Sequence, residues 1–413
     1  MPAWAARLMR RLLARALPWL VVALIALGAW RLWPGGETTA PGLLDPAALA
    51  AALPAAADAG FASLDTAAEW TPDLPRDLGP HPASRTELWD LTGQLRDSTG
   101  RRHGLRLTLV RLGLRGPAAV DARRSGLAAK ALLLGRLSLV PEGREPIRAE
   151  RASRTAAGLA GATAEPSTVW LQDWRLALGD AGAEDGRLTV TLDDIRLDLR
   201  LGAQKAPVTP ATALLDGGAG RGAAGDDAPA LRWLAAPRLD VSGLLVVEGA
   251  ETRVTGSAWL DHLWGDAAAN ASGLAGTRGQ LAVNRFLLQL DDGSELLCIH
   301  LRRRAGGGTP VPTCLVIAPD GDTQVLRRRA LTLAAGEASW RSAEGHASYP
   351  IHWQLTAPDL DLRLDIRALH PDQELVLGER LWSGAVAIDG EQRGRPIAGG
   401  GRMDLSGYAA TDG

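Results

Sequence analysis

The chain has 413 residues, 46% of them hydrophobic and 22% charged, enough for two ordinary domains with an apolar core each. Its 45 basic and 47 acidic side chains leave a formal charge of −2, which excludes nucleic-acid binding driven by bulk charge. The two cysteines exclude a disulfide-stapled miniature fold and a cysteine-rich zinc module. Trp is used 14 times against two Tyr and two Phe, so the Trp residues are expected to have individual jobs.

Residues 1–33 read as a targeting segment. Arg7, Arg10, Arg11 and Arg15 precede an uncharged apolar run from Ala16 to Trp30, which Arg31 closes. Positive charge ahead of the run holds that end in the cytoplasm and sends the rest outward. Fifteen residues rise roughly 22 Å as a helix, short of a ~30 Å hydrocarbon core, but Trp19, Trp30 and Trp33 stand where an aromatic belt would lie. Ala26-Leu27-Gly28 also offers a cleavage site, so a signal-anchor and a cleaved signal peptide both fit. The expected location is the inner membrane, single-pass, with the body in the periplasm; after cleavage the body is free in the periplasm. Residues 34–64 form a linker with Gly35-Gly36, several Pro and an Ala-rich stretch, Asp45 to Ala59, expected to be a short helix.

From Glu87 onward the apolar pattern has period two. Leu188, Val190 and Leu192, then Ile195, Leu197, Leu199 and Leu201, alternate with polar residues, and the phase slips at Asp193-Asp194, where a bulge is expected. Leu360, Leu362, Leu364 and Ile366 repeat the pattern near the C-terminus. Such alternation marks antiparallel strands with one face in a core. Glu248-Gly249, Asp292-Gly293, Asp320-Gly321 and Asp389-Gly390 supply turn signals. Without long amphipathic helices between the strands, closed barrels are the expected architecture, since closure removes exposed edges. Alternation fails from 202 to 230, read as an irregular insertion, and the Gly/Ala/Ser-rich stretch Asn270 to Gln280 is the expected junction. The first domain then covers 65–272 and the second 273–413. Cys298 and Cys314, on neighbouring predicted strands, are open to two readings, a disulfide or a pair of buried thiols.

Four strings carry more specific information. Leu74-Pro-Arg-Asp-Leu-Gly-Pro-His81 leads into Arg85-Thr86-Glu87-Leu88-Trp89-Asp90-Leu91-Thr92-Gly93. Gly158-Leu159-Ala160-Gly161-Ala162 precedes Val169-Trp170-Leu171-Gln172-Asp173-Trp174. Gly256-Ser257-Ala258-Trp259-Leu260-Asp261-His262-Leu263-Trp264 closes the first half, and Phe286-Leu287-Leu288-Gln289-Leu290-Asp291-Asp292-Gly293 opens the second. In order and spacing, from about residue 65 to Tyr408, these resemble the AttH / carotenoid 1,2-hydratase (hydroxyneurosporene synthase) family. The resemblance implies an all-β chain of two consecutive lipocalin-like antiparallel β-barrel domains after the N-terminal membrane helix. It implies an apolar ligand, isoprenoid or lipid-like, and in the hydratase branch addition of water to a carbon–carbon double bond. The AttH branch occurs beside ABC transporter components, so a non-catalytic periplasmic lipid-binding partner of such a transporter is the alternative.

Hydrating an unactivated alkene requires a carboxylic acid kept neutral near pH 7, an aromatic wall for the carbocation and a group to handle water. The resemblance assigns these roles to Asp291 as acid, His262 as water-handling base and Trp264 as wall. Trp259, Asp261, Asp292, Trp89, Glu87 and Gln289 are further pocket candidates. On local grounds alone Asp291-Asp292-Gly293 is a hairpin turn, His262 a turn histidine beside Asp261, and the Trp residues core plugs. The chain departs from the family where Glu87-Leu88-Trp89-Asp90 replaces Glu-Trp-Trp-Tyr, where Val283-Asn284-Arg285 replaces an aromatic string, and where Gln289 replaces a Tyr. No phosphate-cradling loop, dinucleotide fingerprint or nucleophile elbow is present, and His346, His352 and His370 lack metal-ligand spacing, so no cofactor and no metal are expected.

Overall fold

The computed structural model describes residues 60–62, 64, 70–117, 129–179, 186–210, 214, 231–265, 281–303, 311–344, 346–377 and 379–408. The expected targeting segment, nearly all of the expected linker, most of the expected 202–230 insertion and the expected 270–280 junction lie outside them. Residues Leu43–Gly413 form one packing unit that holds every strand.

Strands β1 (Thr86–Asp97), β2 (Arg102–Gly113), β3 (Ala131–Pro141) and β4 (Ile147–Arg154) form one meander. A second runs through β5 (Ala160–Ala164), β6 (Ser167–Leu171), β7 (Trp174–Ala177), β8 (Gly186–Leu192), β9 (Ile195–Ala203), β10 (Leu231–Val247) and β11 (Ala250–Gly265). Pairing of β1 with β11 joins them into an eleven-stranded antiparallel sheet ordered β4-β3-β2-β1-β11-β10-β9-β8-β7-β6-β5. The sheet curls around Leu91, Leu107, Leu133, Leu171, Trp174, Leu188 and Leu199. Among the described residues no backbone ladder joins β4 to β5. The barrel is closed by side chains instead, with Arg151 paired to Asp173 and lying 5.0 Å over the Trp174 ring.

The second sheet uses β12 (Leu281–Leu290), β13 (Glu295–Arg303), β14 (Val311–Ile317), β15 (Thr323–Arg327) and β16 (Thr332–Ala335). After the small hairpin of β17 (Ser339–Arg341) and β18 (Ser348–Pro350) it continues with β19 (His352–Ala357), β20 (Leu362–Ala368), β21 (Glu374–Leu377), β22 (Glu379–Gln392) and β23 (Arg395–Ser406). Its order is β15-β14-β13-β12-β23-β22-β20-β19-β16, with β21 on β22. Phe286, Leu288, Cys298, Trp353, Leu364, Ile366, Trp382 and Met403 fill its interior. The chain is therefore all-β, two barrel-like antiparallel sheets of lipocalin type, with three single-turn 3-10 segments among the strands.

Strand alternation gives each central strand two jobs. Leu91 of β1 and Leu260 of β11 face the first barrel, whereas Leu88 and Leu263 on the opposite faces pack with Val283, Leu287, Leu297, Ile299 and Leu315 of the second sheet. This seam also buries Leu214, from within the irregular insertion.

Two local expectations are corrected. Asp193-Asp194 is a two-residue hairpin turn, with Leu192 opposite Ile195 and Asp193 at φ 42°, rather than a bulge. Folding back pairs Val190 with Leu197, so both apolar sets reach one face through the turn. Asp389-Gly390 is mid-strand in β22; the turn falls at Arg393-Gly394. Gly390 is required there because a Cβ would come within 2.2 Å of the Arg363 carbonyl oxygen on β20. Cys298 and Cys314, direct cross-strand partners with Cα atoms 4.0 Å apart, form a disulfide inside the second barrel.

Candidate active site

Glu87 and Trp264 are opposite each other across β1 and β11, as are Trp89 and His262, and all four project into one end of the first barrel. Residues 70–84 cross that end as a strap. Leu78 packs against Leu234 and Trp264, the Ser167 hydroxyl donates to the Leu78 carbonyl (2.8 Å), and Trp70 meets Trp264 edge-on with ring centroids 5.2 Å apart. The strap delivers His81, whose ring stacks on Trp264 at 3.8 Å with the planes 5° apart.

The polar centre is Glu87, fully buried. Its Oε1 lies 3.2 Å from His81 Nδ1 and 3.0 Å from His262 Nε2, and accepts the His81 backbone N–H at 2.8 Å. Its Oε2 accepts from Arg111 Nε at 2.8 Å, while the other end of that guanidinium donates to the His81 and Ser84 carbonyls. Burial alone would raise the Glu87 pKa, but the two imidazole hydrogen bonds and the Arg111 charge hold it well below the usual carboxylate range. Glu87 is thus a fixed negative charge. His262, sandwiched against Trp89 at 4.9 Å and 1% exposed, has its pKa lowered by burial against the pull of Glu87; its Nδ1 faces the Asp77 carbonyl at 3.0 Å. His81 also reaches Asp77, Nε2 to Oδ1 at 3.3 Å, and its side chain keeps 18% of its surface exposed. It is the member of the cluster that meets the outside.

His81, Glu87 and His262 present one ligand atom each within 4.8 Å, which among the described residues is the one convergence of this kind. A cation placed there would have to share Glu87 with the Arg111 guanidinium and break both imidazole contacts. The donor set suits proton exchange between imidazoles across a carboxylate better than metal binding.

The remaining predicted residues lie elsewhere. Asp261 and Trp259 point out of the barrel into the seam. Asp261 Oδ1 accepts from the indole N–H groups of Trp259 (2.7 Å) and Trp233 (2.9 Å), and Oδ2 from Arg285 (3.3 Å). Around it Asp90, Asp404, Arg106, Arg285 and Arg402 form a buried ionic network: Arg106 Nε donates to Asp90 at 2.9 Å, Arg402 bridges Asp90 (2.7 Å) and Asp404 (3.0 Å), and Arg285 donates to Asp404 at 3.0 Å. Burial would raise Asp90, but Arg106 and Arg402 hold it well below its ordinary value. Asp261, farther from those cations and near Asp90, is pushed up to about 7 by burial. Gln289 is saturated in the same seam, donating to the Pro237 and Ala258 carbonyls and accepting from Ser257. Asp291 is exposed in the β12–β13 turn, its carboxylate taking the Ala398 N–H at 3.2 Å, and Asp292 caps the same turn through Ser294. The structure brings His262, Trp264, Glu87 and Trp89 together, separates them from Asp261 and Trp259 by one strand face, and does not bring Asp291 to them.

Sequence reasoning passed over His81, Asp77 and Arg111. The first two stand in the string 74–81 that carried the family resemblance, but nothing local marks a strap residue as folding back onto a strand. Arg285 was visible only as a departure from an aromatic pattern; the structure shows it and Asp90, another departure, 3.7 Å apart in one ionic network.

The fold and this buried centre define a two-barrel, lipocalin-like protein with an ionisable cluster under a strap. The chain belongs to the AttH-like family, whose model matches residues 65–408. It is similar to a crystal structure from Nitrosomonas europaea provisionally described as AttH, at 24% identity and a TM-score of 0.64, covering 85% of this chain and 100% of that one. It is also similar to kievitone hydratase from Nectria haematococca, at 15% identity and a TM-score of 0.54, covering 85% and 97%. No curated protein sequence matches it.

Proposed function

We propose that this chain is an exported, membrane-tethered AttH-like protein that binds an apolar isoprenoid or lipid-like molecule at the strapped end of the first barrel and adds water across a carbon–carbon double bond there. The observation that carries the reading is the convergence of His81, His262 and Glu87 beneath Trp264 and Trp70. A fixed carboxylate flanked by two imidazoles can hold a proton and release it, and indole faces suit both an apolar chain and a developing cation. In the proposed step protonated His81 takes the place of the carboxylic acid expected from the sequence: its Nε2 turns from Asp77 to the substrate and delivers a proton to one alkene carbon, the other carbon becomes cationic, and water adds to it. The proton lost by that water returns to His81, so the net change is H and OH across the double bond. Asp291 has no part in this step. Kinship of fold with a hydratase supports the reaction class, and a disulfide in the second barrel suits an oxidising compartment.

A second reading, a non-catalytic lipid-binding partner of an ABC transporter, is favoured by the saturated hydrogen bonds of Glu87 and His262 and their complete burial. One experiment separates the two. The full chain is incubated with a squalene-like alkene in ¹⁸O, deuterium-labelled water, as wild type, His81→Gln and Asp291→Asn. Label in the product from wild type and Asp291→Asn but not from His81→Gln supports hydration. Bound alkene with no label in any of them supports the binder, and loss of label in Asp291→Asn alone overturns the assignment of the acid.

A further inference from the structure

The second barrel carries polar groups that neither the first-barrel cluster nor the seam uses. Along β12 the even-numbered side chains point inward: Phe286, Leu288 and Leu290 belong to the core, and Asn284 lies on the same face. Opposite Asn284 in register is His300 on β13, and Arg302 follows two residues on, again inward. Asn284 is fully buried and His300 is 8% exposed, yet Asn284 Oδ1, His300 Nδ1 and Arg302 Nε are all buried with no hydrogen-bond partner. Three such atoms on one patch of one strand pair are out of keeping with a plain core, where buried polar atoms are nearly always satisfied.

Their surroundings are aromatic. The His300 ring meets Trp353 edge-on at 5.9 Å, and Trp353 meets Phe286 at 5.2 Å. The Arg302 guanidinium lies 3.8 Å over the Tyr408 ring, which in turn is 5.6 Å from Tyr349, so both tyrosines of the chain gather here. Arg302 donates to the Ser406 carbonyl at 2.6 Å, and among the described residues no carboxylate pairs with it. Asn284 Nδ2 is 3.1 Å from the Tyr408 hydroxyl. That hydroxyl can donate or accept, so the amide can turn over and aim its NH2 inward. The patch then offers three donors (amide, imidazole and guanidinium), the last of them a positive charge with no carboxylate partner among the described residues, against an apolar wall. Burial and the Arg302 charge lower the His300 pKa, which leaves the guanidinium as the cation of the patch.

We propose that Asn284, His300 and Arg302 form a second ligand site, at the β12 N-terminal end of the second barrel, that takes the carboxylate head of an amphiphile whose apolar body lies against Tyr408, Trp353 and Phe286. Charge-assisted bonds from Arg302 and the two neutral donors select an anionic oxygen over a hydroxyl. This site is independent of the first-barrel cluster.

The test uses calorimetric titration of the full chain with decanoate and with decan-1-ol. Wild type binds the acid at least tenfold more tightly than the alcohol, and Arg302→Gln brings the acid down at least tenfold while leaving the alcohol nearly unchanged. Asn284→Leu and His300→Phe, which keep the branching and ring shape at a somewhat larger volume, also weaken decanoate, yet their thermal midpoints stay within a few degrees of wild type or rise. Those midpoints show that the variants are folded and that an unsatisfied atom has been removed. Equal affinity for acid and alcohol, an unchanged Arg302→Gln, no decanoate binding at millimolar concentration, or midpoints lowered by more than a few degrees in both shape-matched variants would overturn the proposal.

Discussion

The mouth of the first barrel and the seam between the sheets are built from the same two strands, one residue out of phase. Glu87, Trp89, His262 and Trp264 turn inward to the mouth; Asp90, Asp261 and Trp259 turn outward to the seam. Both places bury carboxylates, but they treat them differently. In the mouth one carboxylate is held charged by Arg111 and two imidazoles, with His81 reaching the surface. In the seam three Asp face three Arg with no member more than 8% exposed, and the odd one out, Asp261, has its pKa raised to about 7. Burial alone therefore does not define a site. The difference that the proposed function rests on is that the mouth cluster has a member at the surface and the seam has none.

The sharpest way to break this comparison is to remove one side of the seam. Arg402→Met leaves Asp90 and Asp404 buried without their shared cation, and a loss of about 3–5 kcal/mol in urea unfolding is expected. Next in size, Cys298→Ala with Cys314→Ala opens a loop of sequence separation 16 and should lower stability by about 3 kcal/mol, measured the same way.

Asp261→Asn sharpens the contrast through its sign. Because the folded-state pKa is raised from 3.8 to about 7, the folded state holds this proton longer than the unfolded chain, and stability falls as pH rises between those values. The amide keeps an acceptor for both indoles without the charge. Urea unfolding at pH 8 should therefore find Asp261→Asn more stable than wild type by about 1–3 kcal/mol, with a flatter slope between pH 4 and 7. Glu87 behaves oppositely: its folded pKa lies below the ordinary 4.5, so its contribution is present above that pH and is lost as the solution is acidified below it. Glu87→Gln should flatten the acid limb that Asp261→Asn leaves intact. The smallest effect expected is that of Asp291→Asn, within about 0.5 kcal/mol, because its carboxylate is an exposed turn acceptor.

Much of the fold was legible because period-two alternation is a local signal. Leu188 to Leu201 and Leu362 to Ile366 pack as their spacing implies. What misled at Asp193-Asp194 was that a hairpin turn and a bulge leave the same phase slip in a sequence. Asp389-Gly390 misled because a glycine demanded by a neighbouring strand looks like one demanded by a turn. Half of the mouth was legible, since His262 and Trp264 lie two apart on one strand and Glu87 and Trp89 match them across the pair. The other half was not: His81 reaches the cluster along an irregular strap, and irregular backbone has no period to read. The reading of Asp291 rested on resemblance and not on any pattern that fixes where a strand-end side chain points.

The measurement that bears most directly on the account is histidine-selective NMR of the full chain as squalene is delivered in detergent micelles, with signals assigned through His81→Gln and His262→Gln. The account predicts that the His81 signal moves most, that His262 follows, and that His352 and His370 stay still. A His81 signal indifferent to bound squalene, with the changes gathered on histidines of the second barrel, would contradict it.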